Sequence, residues 1–409
     1  MKRICILTQS HLCRNPRVVK EATALNEAGY DVTILTTFAL SKLLNEDKTL
    51  INTSEIKFIG AINLIPGQAS KLSILKNRIV KRLAEELVAR FGIQTISALG
   101  YGYWKNLRIA KAEKADLYIC HEEISTALGC KLIKAGFKVA FDFEDWYSHA
   151  FSGESDKRRP SKLMAKYERF ALKNGLLTYT TSASLSKALA EFAGAKPPNV
   201  LNNVFPLSER KNDADQYKDR TDLDATTIHW YSQTIGPDRG LEIVAKALAM
   251  VSKPIELHLR GSIAGNYKAE FGAIFPFNKG HKLFFHELVP HVELISRIKE
   301  HDIGLAAELY DPINRKLTII NKIMQYLLAG IAVIASDTEG QKEVARQAPL
   351  AVFLYGHDSP EQLAQQITTL ASDPVKLKLA KETALRISDS YYCWDVQKVW
   401  LLSWIKQII

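Results

Sequence analysis

The chain has 409 residues, the length of two ordinary domains, and its 47% hydrophobic and 24% charged residues are typical of a globular protein. The net charge of +10 is compatible with phosphorylated substrates, anionic lipid or nucleic acid, and excludes none of them. Five scattered cysteines without a CxxC pair argue against a disulfide framework and a zinc site, and favour the cytoplasm. The apolar run at residues 4–7 is too short for a signal segment, and no window approaches the ~18 apolar residues of a membrane span.

The first half alternates between strand and helix patterns. It opens with a strand over residues 3–8, a polar loop over 9–15, a helix that Pro16 begins and Gly29 caps, and a strand over 30–36. This order is typical of a βαβ unit. Further strands are predicted at 116–120, 138–142, 177–182 and 200–204, and further helices at 126–135 and 183–192.

Residues 207–226 are polar and indicate a surface linker, after which the alternation restarts. Strands are predicted at 227–231, 255–259, 283–285, 303–307 and 331–336, and helices at 239–252, 292–301, 319–328, 359–372, 375–388 and 394–408. We therefore predict an α/β chain of two Rossmann-like, doubly wound domains whose strand ends face a central cleft. The predicted domains are residues 1–206 and 207–390, with a final helix at 391–409 that crosses back to the first domain.

Three features of the second half suit a phosphorylated ligand. A helix with Asn321 and Lys322 near its start presents free N–H groups and a cation, which favour a diphosphate. Arg239 opens a helix after a strand and can grip phosphate oxygens, and Gly261 follows a strand, where backbone can approach a ligand. Taken alone, each feature also has an ordinary structural explanation. Lys322 can be a solvent-facing lysine, Arg239 a surface arginine and Gly261 a turn glycine.

The order of these motifs resembles the C-terminal half of glycosyltransferase family 4. The order is strand, Arg239-Gly240 helix, strand with Gly261, then the Asn321-Lys322 helix that ends at Gly330. The first half is similar to the same family in its 15–21 segment (Asn-Pro-Arg-Val-Val-Lys-Glu), in the strand that ends at His121, and in the strand that ends in the Asp-Phe-Glu-Asp run at 142–145. The resemblance covers nearly the whole chain.

The resemblance implies the GT-B fold and a retaining transfer of a sugar from a nucleoside-diphosphate-sugar donor, with no cofactor. The implied donor-binding residues are Gln233, Arg239, Gly261, Asn321, Lys322 and Gln325. Of these, Arg239 and Lys322 would stabilise the leaving diphosphate, together with a helix N-terminus, so we predict that no metal is needed. In the family, a second basic residue usually accompanies the one that corresponds to Arg239, and here Gln233 stands at its position. Leu317 and Gln325 stand where the family often has two glutamates.

On the acceptor side, the resemblance implies that His121 contacts the donor sugar near the reacting carbon. The alternative is a satisfied buried histidine at a strand end. Asp142, Glu144 and Asp145 can orient an acceptor hydroxyl or supply a general base. The alternative for Asp142 or Asp145 is helix N-capping. The acceptor itself stays open between a glycan, a lipid-linked and a small-molecule hydroxyl, in cell-surface polysaccharide or glycoconjugate synthesis.

Residues 71–114 hold ten Lys or Arg and three Glu, and leucines and isoleucines recur among them at helical spacing. This basic amphipathic pattern suits peripheral contact with an anionic membrane, at the inner face of the plasma membrane. The alternative is a core-packed helix with a solvated charged face. We do not expect nucleic acid as a partner, because no known binding module is present.

Four other functions compete with this interpretation. An NAD-dependent oxidoreductase needs a glycine-rich turn after the first strand, and residues 8–14 contain no glycine. A GT-B epimerase is a further possibility, and a phosphorylase with a cofactor-lysine domain would be longer. A glycosyltransferase-like scaffold without catalysis is favoured by Gln233, Leu317 and Gln325, and opposed by His121, Arg239 and Lys322.

Overall fold

The computed structural model describes residues 1–52, 55–210, 218–220, 222, 224–237 and 239–409. Part of the predicted linker over 207–226 therefore lies outside the described residues. The chain forms two compact units, which we call unit 1 (residues 1–201 with 398–409) and unit 2 (residues 202–397). The division at residues 206 and 390 drawn from the sequence remains a prediction.

Unit 1 alternates strands and helices. Its strands are β1 (Arg3–Leu7), β2 (Asp31–Phe38), β3 (Lys57–Asn63), β4 (Leu117–His121), β5 (Val139–Phe143), β6 (Leu177–Thr180) and β7 (Asn199–Val200). Its helices are α1 (Pro16–Glu27), α2 (Ser41–Ile51), α3 (Lys71–Phe91), α4 (Tyr103–Glu113), α5 (Glu123–Ile133), α6 (Ser161–Asn174) and α7 (Ala183–Ala193). The strands pair in parallel in the order β3-β2-β1-β4-β5-β6-β7.

The sequence explains the first βαβ unit of unit 1 in detail. The side chain of Asn15 caps α1 by accepting from the N–H of Val18, and Pro16 occupies the first turn, where its missing N–H costs nothing. Gly29 follows the helix with φ +87°, a conformation that glycine adopts without strain. The central strands β1 and β4 are buried almost throughout, because helices cover both faces of a parallel sheet.

Unit 2 repeats this architecture. Its strands are β8 (Thr226–Ile235), β9 (Ile255–Ile263), β10 (Lys282–His286), β11 (Ile303–Ala306), β12 (Ala332–Ser336) and β13 (Val352–Tyr355). Its helices are α8 (Leu241–Leu248), α9 (Tyr267–Ile274), α10 (His291–Lys299), α11 (Ile313–Leu317), α12 (Asn321–Ala329), α13 (Glu339–Gln347), α14 (Pro360–Ser372) and α15 (Pro374–Ser390). The strands are parallel in the order β10-β9-β8-β11-β12-β13.

The last helix, α16 (Trp394–Ile408), ends within unit 1. The Trp404 ring lies 6.4 Å from that of Tyr179, and Lys138 Nζ donates to the carbonyl of Ile408 at 2.8 Å. Residues 398–409 therefore pack on the sheet of unit 1. In the described part of the chain, no helix has both the length and the apolar character needed to cross a membrane.

In both units the strand order reverses direction once. The reversal lies between β1 and β4 in unit 1, and between β8 and β11 in unit 2. At such a point the loops after neighbouring strands diverge and leave a crevice at the carboxyl edge of the sheet, where ligands of doubly wound proteins bind. The predicted site residues are therefore located relative to these two edges.

Candidate functional site

At the reversal point of unit 2, the loop after β8 runs close to the end of β11. Gly240 has φ +76°, and a Cβ added there would lie 3.6 Å from the Cβ of Ala307. Arg239 precedes it and is exposed, just before α8 begins. A glycine at this position lets the loop turn into the helix while Arg239 stays at the carboxyl edge of the sheet.

Helix α12 begins at Asn321 and ends at Gly330, which adopts the left-handed conformation of a helix cap. Its first turn carries no acidic residue and no capping side chain, so the N–H groups of Asn321 and Lys322 can serve a ligand, whereas that of Ile323 donates to the Ile320 carbonyl. Lys322 is half-buried in this turn, and its Nζ lies 5.3 Å from the ring centroid of Trp230 in the middle of β8. The aromatic face holds the cation at the same edge as the helix N-terminus.

The surroundings of Lys322 are mostly positive. Burial lowers the pKa of Lys322, the Glu308 carboxylate opposes this change, and Arg239 and Arg315 add to it. Arg315 Nη1 also lies 3.6 Å from Glu308 Oε1. Lys322 therefore lies within electrostatic range of two other cations and of one carboxylate, which is paired with Arg315, in the first turn of α12. This edge can bind an anion with more than one negative charge.

The other predicted donor residues lie at this edge in different environments. Gln233 is exposed, next to the bulge that interrupts the pairing of β8 with β9. Asn321 is exposed, and its Oδ1 accepts from Asn203 Nδ2 at 3.1 Å. Gln325 is buried, and its Oε1 accepts a hydrogen bond from the hydroxyl of Tyr231. The amide oxygen of Gln325 thus accepts one hydrogen bond within unit 2, and its predicted contact with a ribose stays a prediction.

Gly261 was predicted to follow a strand, and this prediction is wrong. Strand β9 extends through Gly261 to Ile263, because its end pairs with β8 beyond the bulge. A Cβ at Gly261 would lie 2.4 Å from the carbonyl oxygen of Ser232. Close packing of two strand backbones accounts for this glycine without a ligand.

Replacing Gly261 by alanine is expected to destabilise unit 2 by about 1–3 kcal/mol, because the new Cβ must displace backbone. The matched control is Gly272→Ala in α9, where an added Cβ meets nothing within 4 Å. The control should be neutral or stabilise by up to about 1 kcal/mol. Urea unfolding of the two variants measures the difference, and equal stabilities would contradict the packing explanation.

In unit 1, His121 ends β4 and its side chain is fully buried among carboxylates. Nε2 lies 3.3 Å from Glu21 Oε2, and Nδ1 lies 3.2 Å from Asp142 Oδ2 and 3.3 Å from Glu144 Oε1. Burial opposes protonation, yet the three carboxylates hold the pKa of His121 well above its usual range. His121 is therefore ion-paired within unit 1, although its buried Nε2 makes no hydrogen bond among the described residues, and the sugar contact stays a prediction.

The predicted acceptor-side carboxylates also belong to this network. Asp142 is buried and binds Arg17 through both oxygens, and its Oδ1 accepts from Arg17 Nη2 at 3.1 Å. Glu144 is half-buried and accepts from Asn15 Nδ2 at 2.8 Å. Asp145 lies half-buried in the bend after β5. We call the set Arg17, Glu21, His121, Asp142 and Glu144 the buried ion network.

The capping alternative for Asp142 and Asp145 is wrong. Asp142 lies inside β5, and the short helical turn Tyr147–His149 after this strand has Trp146 at its N-cap without a side-chain cap bond. The oxygen and nitrogen atoms of Glu21, His121 and Asp142 are close enough together to hold a metal ion. Arg17 already supplies a cation to both carboxylates, 3.4 Å from Glu21, so the group is explained by charge pairing.

Glu122 fixes the loop after β1 at the reversal point of unit 1. Its carboxylate accepts from Thr8 Oγ1 and the Gln9 N–H at 2.7 Å, and from the Ser10 N–H at 3.0 Å. Glu122 itself has φ +67°, a strained conformation for a residue with a side chain. Such strain, held by several hydrogen bonds, is typical of functional edges.

A cavity of about 330 Å³ lies next to this loop, within unit 1. Its lining includes Gln9, Lys81, Tyr101, Glu123, Tyr147 and Arg159. Amide, carboxylate, guanidinium and phenol groups together offer both hydrogen-bond donors and acceptors, which a polyhydroxylated molecule requires. None of these residues was singled out from the sequence as a site residue.

Sequence reasoning also missed Glu308 and Arg315 in unit 2, and Arg17 and Glu21 in unit 1. The signal for the first pair is that Glu308 lies two positions after the end of a strand. For the second pair, Arg17 and Glu21 are four residues apart on α1, next to the buried face with Val18, Ala22 and Leu25. Charges beside an apolar stripe indicate buried ion pairs.

Comparison with known proteins bears on the fold. No protein-family model matches the chain, and no curated protein matches it. Among solved structures, it is similar over its full length to sucrose-phosphate synthase from Thermosynechococcus elongatus, with 14% identity, 99% of that chain covered and a TM-score of 0.73. It is also similar to Anabaena HepE in complex with UDP (15% identity, all of both chains, TM-score 0.68) and to TarM of S. aureus (9% identity, all of this chain and 99% of that one, TM-score 0.68).

At sequence identities this low, structural similarity supports a shared fold but does not establish a shared activity. The two parallel sheets, each with a single reversal of strand order and helices between its strands, match those neighbours. The predicted fold class is confirmed: the chain has the GT-B fold, built from two Rossmann-like units.

Proposed function

We propose that this protein is a glycosyltransferase that moves a hexosyl or related sugar from a nucleoside-diphosphate-sugar to an acceptor hydroxyl. The observation that carries the proposal is the cation-rich edge of unit 2, where Lys322 in the first turn of α12 lies within electrostatic range of Arg239 and Arg315. A diphosphate is the ligand whose charge matches three cations and a helix N-terminus. The Anabaena neighbour was solved with UDP and with UDP-glucose, which agrees with such a donor.

In the proposed mechanism, the protein stabilises the leaving nucleoside diphosphate. Negative charge grows on the diphosphate as the bond to the sugar breaks, and fixed cations lower the energy of that state without reorganising. Lys322 and Arg239 would do this in place of a divalent metal, with no cofactor. Attack by the acceptor on the face that the diphosphate leaves gives retention of configuration, as the resemblance to family 4 implies.

We place the acceptor on unit 1, in the cavity beside Glu123 and Tyr147. Its mixed donors and acceptors suit the hydroxyl groups of a glycan, a lipid-linked sugar or a small molecule. The setting we propose is polysaccharide or glycoconjugate synthesis in the cytoplasm, at the inner face of the plasma membrane. The five cysteines, all free, agree with a reducing compartment.

The alternative function is a binding or scaffold subunit of the same fold. Leu317 and Gln325 favour it, because neither side chain can make a charge-assisted hydrogen bond to a donor sugar. The half-buried Lys322 favours binding of an anionic ligand at this edge, which both functions share, because a cation held away from water is stabilised by a negatively charged partner.

A donor panel separates these functions. The protein is incubated with UDP-, GDP- and dTDP-sugars in the presence of EDTA, and nucleoside diphosphate release is followed by coupled assay. We expect release from one donor class despite EDTA, and a loss of about 100-fold or more in Arg239→Ala. Thermal stabilisation of the protein by a nucleotide without release of nucleoside diphosphate would favour the scaffold. If no donor stabilises the protein and no nucleoside diphosphate is released, the proposal is refuted.

A further inference from the structure

Helix α3 exposes an apolar face that no element of the described structure covers. Of its 21 residues only Ile74, Ala84 and Val88 are buried. Leu72, Leu75, Ile79 and Leu83, spaced three or four apart, share the opposite face and are 77%, 54%, 46% and 59% exposed. A surface helix ordinarily turns its apolar stripe to the core, so a second stripe in solvent indicates a partner.

The same helix is strongly cationic toward its N-terminus. Residues 71–84 contain five Lys or Arg and no acidic residue. Glu85 and Glu86, further along, pair with Lys81 and Arg82. Lys71, Lys76 and Arg78 are exposed and take part in none of the ion pairs among the described residues. The apolar face is therefore flanked by cations that are available to an external partner.

The partner must offer both an apolar phase and negative charge. An anionic lipid bilayer offers both, because acyl chains accept leucine side chains while headgroup phosphates attract Lys and Arg. A second copy of this face would bring like charges together and is disfavoured. Nucleic acid would leave the leucines without an apolar environment.

We propose that α3 is the surface through which this protein docks on an anionic membrane. Leu72, Leu75, Ile79 and Leu83 enter the boundary between headgroups and acyl chains, and Lys76 and Arg78 contact lipid phosphates. Lys81 and Glu85 on the same helix line the 330 Å³ cavity of unit 1, so docking places that cavity beside the lipid surface. The proposal goes beyond sugar transfer and does not depend on it.

Sedimentation with vesicles tests the docking surface. The protein is mixed with phosphatidylcholine vesicles that either contain or lack phosphatidylglycerol, and the bound fraction is measured. We expect binding only to the anionic vesicles, and its loss in the double variant Ile79→Glu with Leu83→Glu. Neutralising Lys76 and Arg78 to glutamine should weaken binding about 25-fold, at about fivefold for each cation.

The control places the same charges on another exposed apolar pair. Val375 and Leu379 of α15 are 78% and 41% exposed beside Lys376 and Lys378, and Val375→Glu with Leu379→Glu should leave binding unchanged. Circular dichroism verifies that each variant is folded. Nucleotide-induced stabilisation of the same samples reports on the donor site separately. No binding of the wild type to anionic vesicles, or an equal loss in the control, would overturn the proposal.

Discussion

Replacing Lys322 by alanine is expected to lower kcat for nucleoside diphosphate release by about 100- to 1,000-fold, the usual cost of losing one charge-stabilising group. The reason is its position: Nζ is held against Trp230 in the first turn of α12, where it would face the leaving diphosphate. Charge that develops only during bond breaking makes the loss larger in kcat than in KM. Steady-state kinetics with the donor that the panel identifies gives both parameters.

A matched control separates this role from a general effect of charge. Lys246→Ala removes an exposed lysine in the last turn of α8 and should leave kcat within about twofold. Lys322→Arg retains the charge with a different shape and should recover part of the rate. A Lys322→Ala enzyme with unchanged kcat would remove Lys322 from the mechanism.

Replacing Asp142 by alanine is expected to cost about 3–5 kcal/mol of stability, because it leaves the buried Arg17 guanidinium without its main partner. Arg17 and Asp142 are 1% exposed or less, so water cannot replace the lost oxygens. His121 would also lose a carboxylate that supports its charge. Urea unfolding and the shift in Tm of the variant measure the effect.

The control for Asp142 is the exposed pair of Lys157 with Glu154, whose side chains are 63% and 84% accessible. Glu154→Ala should change stability by less than about 0.5 kcal/mol, because surface ion pairs are screened by water. If Asp142→Ala proved as mild as Glu154→Ala, the buried ion network would not be a structural element of unit 1. In that case Asp142 would again be open to a role with the acceptor.

The periodic parts of the fold were predictable from the sequence because they depend on local pattern. A helix was predicted over 319–328 and found as Asn321–Ala329, since Gly330 supplies the left-handed cap that ends it. The predicted strand over 227–231 continues to Ile235, and that over 255–259 continues to Ile263. Both extensions come from pairing across a bulge, which no local pattern encodes.

The environments of the site residues depend on contacts between distant parts of the chain. His121 was correctly placed at a strand end. Its charged surroundings were not predictable, because Glu21 and Arg17 come from α1, about a hundred residues earlier in the chain. The Arg17–Asp142 bond joins residues 125 positions apart. For Lys322 the helix terminus was predictable, whereas its contact with Trp230 and its proximity to Arg315 were not.

Calorimetric titration shows directly whether the α12 edge of unit 2 binds the diphosphate of a nucleotide sugar. UDP, GDP and dTDP are titrated separately, with EDTA present, into the wild type and into the double variant Arg239→Ala with Lys322→Ala. We expect that one nucleotide binds the wild type without metal and loses at least about tenfold in affinity in the double variant. Equal affinity in both proteins, or no binding of any of the three nucleotides, would contradict it.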